Sequence, residues 1–149
     1  MKIALGSDHG GLSLKKQIIL HLENNHMEIK DFGTYTEDSC DYPDYALKVA
    51  EEVVAANFEI GILICGTGIG IGIAANKVPG IRAALCHDTF SAHSAIEHNN
   101  ANILTLGARV IGAGLALDIV DAFINAKFQG QRHQKRIDKI TEIEKKYSK

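Results

Sequence analysis

The chain has 149 residues, of which 46% are hydrophobic and 23% charged, and a net charge of −2. That composition fits one globular domain over residues 1–149 and excludes collagen-like, low-complexity and disulfide-built classes. No apolar run is long enough to span a bilayer, and the start is too brief for an export signal. The three cysteines lack metal-type spacing, so free thiols in a cytoplasmic protein are expected.

The first strand is expected at Lys2–Gly6, followed by Ser7-Asp8-His9-Gly10-Gly11 and a helix over Gly11–Asn25. A second strand, Glu28–Gly33, precedes a helix over Pro43–Ala56 that places Tyr45, Val49, Glu52, Val53 and Ala56 at mostly helical spacing. The third strand, Ile60–Cys65, has no polar alternation, as a parallel strand buried on both faces requires. It runs into Gly66-Thr67-Gly68-Ile69-Gly70-Ile71-Gly72 and a helix over Gly68–Lys77. Strands at Ile81–Cys86 and Ile103–Gly107 flank a helix over Thr89–His98, and helices over Ala113–Phe128 and His133–Tyr147 complete the chain. Strand–helix alternation with short joints predicts right-handed βαβ units. The expected fold is α/β: a flavodoxin-like three-layer sandwich on a five-stranded parallel sheet, order 2-1-3-4-5, with an extra C-terminal helix.

Charge is unevenly placed. Residues 127–149 hold eight of the 16 basic side chains and three of the 18 acidic ones, which leaves the rest of the chain acidic. The basic segment reads either as a solvated helix face or as an anion site. It is too short, too poor in aromatic residues and attached to too acidic a body for a nucleic-acid partner.

In an open α/β sheet, ligands bind at the carboxyl ends of strands where the strand order reverses. Those ends are Ser7–Gly11 and Cys65–Gly72, both polar or glycine-rich and both leading into a helix. Glycines let backbone amides approach a ligand, and the following helix start adds partial positive charge. The loop lacks the Gly-Lys-Ser/Thr ending of a P-loop, and its glycines recur at every second position, unlike the dinucleotide fingerprint. Cys65 ends a buried strand against this loop, where neighbouring amides favour a thiolate that can serve as nucleophile or proton acceptor. The Gly-x-Ser-x-Gly elbow, the serine equivalent of such a nucleophile, is absent. Cys86 reads as a small buried hydrophobe, and Cys40 as a loop residue without an evident partner.

Among the seven histidines, His9 lies in the switch-point loop beside Asp8. His98 ends the fourth helix, where a helix C-terminus favours its cation. His21, His26 and His93 read as solvated or unremarkable helix residues, and His87 as a candidate for the site rim. No metal-type cluster is present, so no required metal is expected.

Four segments carry a resemblance: Ser7-Asp8-His9-Gly10-Gly11, Cys65-Gly66-Thr67-Gly68-Ile69-Gly70, His98-Asn99-Asn100-Ala101-Asn102 and Arg132-His133-Gln134-Lys135-Arg136. Together they closely resemble the ribose-5-phosphate isomerase type B family, which includes the galactose-6-phosphate isomerase subunits. The likeness covers essentially the whole chain. It implies an aldose–ketose isomerase of small phosphorylated sugars that needs no cofactor. It assigns Cys65 as the base and Gly66, Thr67, Gly68, Ile69 and Gly70 as the loop that steadies the enediolate. His98 becomes the ring-opening acid, and Asp8, His9, Asn99, Arg109, Arg132 and Arg136 the ligands of hydroxyls and phosphate. Ribose 5-phosphate and ribulose 5-phosphate are the expected pair. Allose 6-phosphate or galactose 6-phosphate is the alternative, and a non-catalytic phosphosugar-binding regulator would have no need of Cys65 with His98.

Topology adds one further expectation. Cys65 lies at the carboxyl end of its strand and His98 at the opposite end of the sheet. Either His98 is catalytically irrelevant or it serves the Cys65 of a second subunit, so a homo-oligomer of at least two chains with shared sites is expected.

Overall fold

The computed structural model describes residues 1–149. Strands β1 (Lys2–Ser7), β2 (Glu28–Asp31), β3 (Ile60–Cys65), β4 (Ala83–Leu85) and β5 (Ile103–Gly107) form one all-parallel sheet. Helices α1 (Leu12–Asn24), α2 (Tyr42–Val54), α3 (Ile69–Ala75), α4 (Thr89–Glu97), α5 (Ala113–Asn125) and α6 (Arg132–Tyr147) accompany it. The α/β class, the five parallel strands and the terminal helix are those read from the sequence. No helix is long and apolar enough to cross a membrane.

The sheet order is β2-β1-β3-β5-β4, so the last two strands exchange places relative to the expected 2-1-3-4-5. The residues give the reason. β5 is Ile-Leu-Thr-Leu-Gly and fully buried, which suits an interior position. β4 is three residues, Ala83–Leu85, partly exposed, which suits an edge. Arg82 also ends the apolar run early: its guanidinium is bonded to the Asn100 carbonyl at 2.7 Å, and its amide to Asn102 Oδ1 at 2.8 Å.

The exchange decides which layer each helix joins. With right-handed crossovers, rightward steps place α2 and α3 on one face, while the leftward steps place α1 and α4 on the other. The cores agree. Leu14, Ile18 and Leu22 of α1, Ala92 and Ala95 of α4, and Ile119, Val120 and Phe123 of α5 pack on one face of the sheet. Ala46, Val49, Ala50 and Val53 of α2 and Ile71 and Ala75 of α3 pack on the other. β3 is buried at all six positions and divides its side chains between them, Ile60, Ile62 and Ile64 to the first and Leu63 and Cys65 to the second. Small residues on α4 let that helix approach closely, and each large side chain fully buried here contributes about 1.5–3 kcal/mol.

Candidate active site

The register sets the geometry. β1 and β3 end together, with Ser7 opposite Ile64, and β3 and β5 end together, with Cys65 opposite Gly107. The Cys65 carbonyl accepts from the Ala108 amide at 2.9 Å, and the Gly66 carbonyl accepts from the Arg109 amide at 3.0 Å. The segment after β5 is thereby laced to the glycine loop, and Arg109 is carried over it. A Cβ on Gly66 would stand 3.0 Å from an Arg109 guanidinium nitrogen, and one on Gly10 would stand 3.6 Å from the other. Arg109 spans the two loops that end β1 and β3.

Cys65 is 4% exposed, and its Sγ accepts a hydrogen bond from the Gly68 amide at 3.1 Å. Gly68 has φ +75°, and a Cβ there would stand 2.6 Å from Leu85 Cδ1 and 2.7 Å from the Leu106 carbonyl carbon. Only glycine can turn the chain at that point and still aim its amide at the sulfur. The Ile69 amide is engaged by Thr67 Oγ1 at 3.3 Å, whereas no group of the chain engages the Gly66 and Thr67 amides. These two donors are free to receive an oxygen that gains negative charge. Gly70 lies against the ring of Tyr42, at the start of α2.

On the β1 side, Asp8 is buried and its Oδ1 accepts from the Gly11 amide at 3.1 Å, closing the short turn His9–Gly11 before α1. His9 is half-buried, and its Nδ1 accepts from the Cys40 amide at 3.2 Å. Cys40 therefore does have a partner, across 31 residues of sequence. Asp8, His9, Cys65, Gly66, Thr67, Gly68, Ile69, Gly70 and Arg109 thus gather at the carboxyl end of the sheet.

His98, Asn99, Arg132 and Arg136 gather elsewhere. His98 closes α4 at the amino end of the sheet, where Ile103 pairs with Gly61, four residues before Cys65. Those four residues span about 13 Å. The His98 ring stacks on that of His133, with centroids 4.5 Å apart and planes 14° from parallel. The Gln129 amide bonds the Glu97 carbonyl at 3.1 Å, so the start of α6 is tied to the end of α4. Arg132 and Arg136 flank the buried His133, both exposed. Burial, with the charges of Arg132, His98 and Arg136, holds His133 below its ordinary range and therefore uncharged near neutral pH.

Other residues differ from their sequence reading. Cys86 is buried, and its thiol is pushed up to about 11 by burial and by Asp88, as befits an inert core residue. His21, read as solvated, pairs with Asp121 at 2.7 Å between α1 and α5. Lys15 was not singled out. It is fully buried, with Nζ 2.7 Å from Asp31 Oδ1 and 2.6 Å from the Thr34 carbonyl, and its position three residues before Ile18 on the buried stripe of α1 was the available signal.

The chain matches the ribose/galactose isomerase family over residues 3–140. It is 48% identical to ribose-5-phosphate isomerase B of Escherichia coli, covering 97% of each chain, and 52% identical to a putative sugar phosphate isomerase of Bacillus subtilis, covering 98% of this chain and 99% of that one. Its structure superposes with a TM-score of 0.98 on ribose-5-phosphate isomerase B of Clostridium thermocellum, at 59% identity and with 99% and 100% of the two chains covered. The corresponding Mycoplasma genitalium enzyme, solved with ribulose-5-phosphate bound, gives a TM-score of 0.93 at 46% identity, covering 97% and 96%. With a buried cysteine, two unengaged amides and a bridging arginine at its switch point, and with these relatives along its whole length, the chain belongs to the ribose/galactose isomerase family.

Proposed function

We propose that this chain interconverts ribose 5-phosphate and ribulose 5-phosphate through an enediolate, with Cys65 as the base. One observation carries the chemistry: the Cys65 sulfur, the free Gly66 and Thr67 amides and the Arg109 guanidinium adjoin one another at the carboxyl end of β3. Isomerisation moves one proton from C2 to C1 and a second from the C2 hydroxyl to the C1 oxygen, and gains or loses no electrons overall. The thiolate takes the proton from C2 of the open aldose and returns it to C1. Negative charge grows meanwhile on the oxygens, where the two amides meet it. Such fixed donors are worth about 3–4 kcal/mol each, and acid–base transfer contributes about 10²–10⁴-fold.

The substrate is cyclic for most of its life, so an acid must first open the ring. We assign this to His98, with Asn99, Arg132 and Arg136 as ligands from the same cluster. In one chain these lie at the wrong end of the sheet for Cys65. The active unit is therefore at least a dimer, in which each site joins the Cys65 half of one chain to the His98 half of the other. Ile69, Ile73, Leu85, Phe90 and Val110, exposed around the Cys65 half, suit burial against that second copy. The whole chain 1–149 serves as one catalytic domain of a cytoplasmic enzyme.

The test is formation of ribulose 5-phosphate from ribose 5-phosphate by the purified protein, with allose 6-phosphate measured alongside. Turnover of neither sugar would refute this assignment. Preference for the six-carbon sugar would keep the chemistry and replace the substrate.

A further inference from the structure

We propose that the Cys40 amide fixes His9 as a hydrogen-bond donor, its Nε2–H turned toward the sugar phosphate, and so removes His9 as a second base. This rests on the site assigned above and concerns a residue whose partner lies in a loop outside it. The His9 Nδ1 accepts the Cys40 N–H at 3.2 Å, and the Cys40 sulfur stands 3.9 Å from the same nitrogen. A ring nitrogen that accepts an amide hydrogen keeps its lone pair and carries no proton, so the neutral ring holds its proton on Nε2. No hydrogen bond within the chain uses that second nitrogen.

The donating amide is itself held at both ends of its loop. On one side, the Ser7 amide bonds the Gly33 carbonyl at 2.7 Å and the Thr34 amide bonds the Ser7 carbonyl at 2.7 Å, so the chain leaving β2 is stitched to the end of β1. The buried Lys15 ammonium clamps the Thr34 carbonyl and Asp31 together. On the other side, α2 begins at Tyr42, two residues beyond Cys40. Two residues before α2, the Cys40 amide faces Nδ1 and sets the tautomer of the imidazole.

The consequence for the reaction is a division of labour. Arg109, the Gly66 and Thr67 amides and His9 Nε2–H all donate, and the Asp8 oxygen nearest the turn is committed to the Gly11 amide. The Cys65 sulfur, the base of the proposed function, then has no competing imidazole base beside it. His9 recognises an oxygen lone pair of the sugar or its phosphate.

The experiment is a long-range proton–nitrogen correlation spectrum of the full-length protein carrying 15N-histidine, at pH 7.5, with His9 assigned by its loss in His9→Gln. Expected is a His9 with Nδ1 unprotonated and Nε2 protonated. The pattern should persist in Cys40→Ala, which keeps the amide, and become a mixture of tautomers in Cys40→Pro, which lacks it. A proton on Nδ1 in the wild-type protein overturns the inference, as does a Cys40→Pro spectrum identical to wild type.

Kinetics give a second reading. His9→Gln, whose side-chain amide can present an N–H where Nε2 stands, should raise KM more than it lowers kcat, with kcat falling by less than about tenfold. A loss of about a hundredfold or more in kcat with KM preserved would make His9 a base and overturn the proposal. Absence of isomerase activity in the wild-type protein would instead refute the function assigned above, and the tautomer would still be read from the spectrum.

Discussion

At Cys65 one sulfur atom sits where a buried strand runs into the glycine loop, bonded to the Gly68 amide and beside the free Gly66 and Thr67 amides. Cys65→Ala is expected to lower turnover at least a thousandfold, about 4 kcal/mol of transition-state stabilisation, with ribose 5-phosphate binding retained by calorimetry. Near-wild-type turnover would remove Cys65 from the mechanism. Iodoacetamide inactivation should track labelling of Cys65 in peptide maps and be slowed by substrate. Cys86, pushed up to about 11, should stay unlabelled at pH 8. His133 makes a prediction about stability. Its folded form is held below the ordinary histidine range and the unfolded chain's is not, so the unfolded state binds the extra proton. That contribution is complete above about pH 6.5 and is lost as the pH falls from there through the depressed folded value. His133→Phe, which can keep a flat ring against His98 and removes a buried nitrogen without a partner, should weaken the fall in urea midpoint between pH 7.5 and 5.5. An unchanged pH dependence would show that the proton goes elsewhere.

The elements were legible to different degrees, for physical reasons. β3 and β5 announce themselves as uninterrupted apolar runs, and both have the bounds read from the sequence. The helix starts at Thr89 and Ala113 were equally plain, with Asp88 capping the first by accepting from the Ser91 amide at 2.6 Å. What periodicity cannot encode is which strand lies beside which. The 2-1-3-5-4 order is decided by the length and burial of β4 and β5, not by alternation. The Cys40–His9 bond and the buried Lys15 were hidden for a related reason: both are made across more than 15 residues, by side chains that usually face water. Lys15→Ala should cost about 3 kcal/mol in chemical denaturation, because it leaves the Thr34 carbonyl without its buried donor and Asp31 without its cation. A loss below about 1 kcal/mol would mean that water replaces the ammonium. Gly68→Ala should be worse for activity than for folding, since the added Cβ displaces the loop from Leu106 and turns its amide from the sulfur. Equal loss of both would deny the amide a role.

For the whole molecule, the separation of the two residue clusters makes the strongest demand. Cys65→Ala and His98→Ala, each inactive alone, should complement when mixed and allowed to exchange subunits. If, as proposed, sites are shared across a dimer, a mixed dimer has one site with both residues intact and one with neither, so random equal mixing should restore about a quarter of all sites. No recovery, with exchange confirmed by mass spectrometry, would mean that each chain completes its own site, and full activity of His98→Ala alone would mean that His98 takes no part.

The strand order also governs how the chain can be made. β4 leaves the ribosome before β5, yet in the finished sheet β5 stands between β4 and β3. Until residue 107 has emerged, the flank of β3 that β5 will cover stays open, and β4 has no strand to join. That open flank is the backbone of six buried residues, Ile-Gly-Ile-Leu-Ile-Cys, a sequence suited to pairing with another copy of itself. Nascent chains stalled between residues 90 and 100 should therefore collect in aggregates or on chaperones, whereas chains stalled far enough on to expose β5 should not. The strand that seals Cys65 into the sheet is also the one whose late arrival leaves the growing chain most vulnerable.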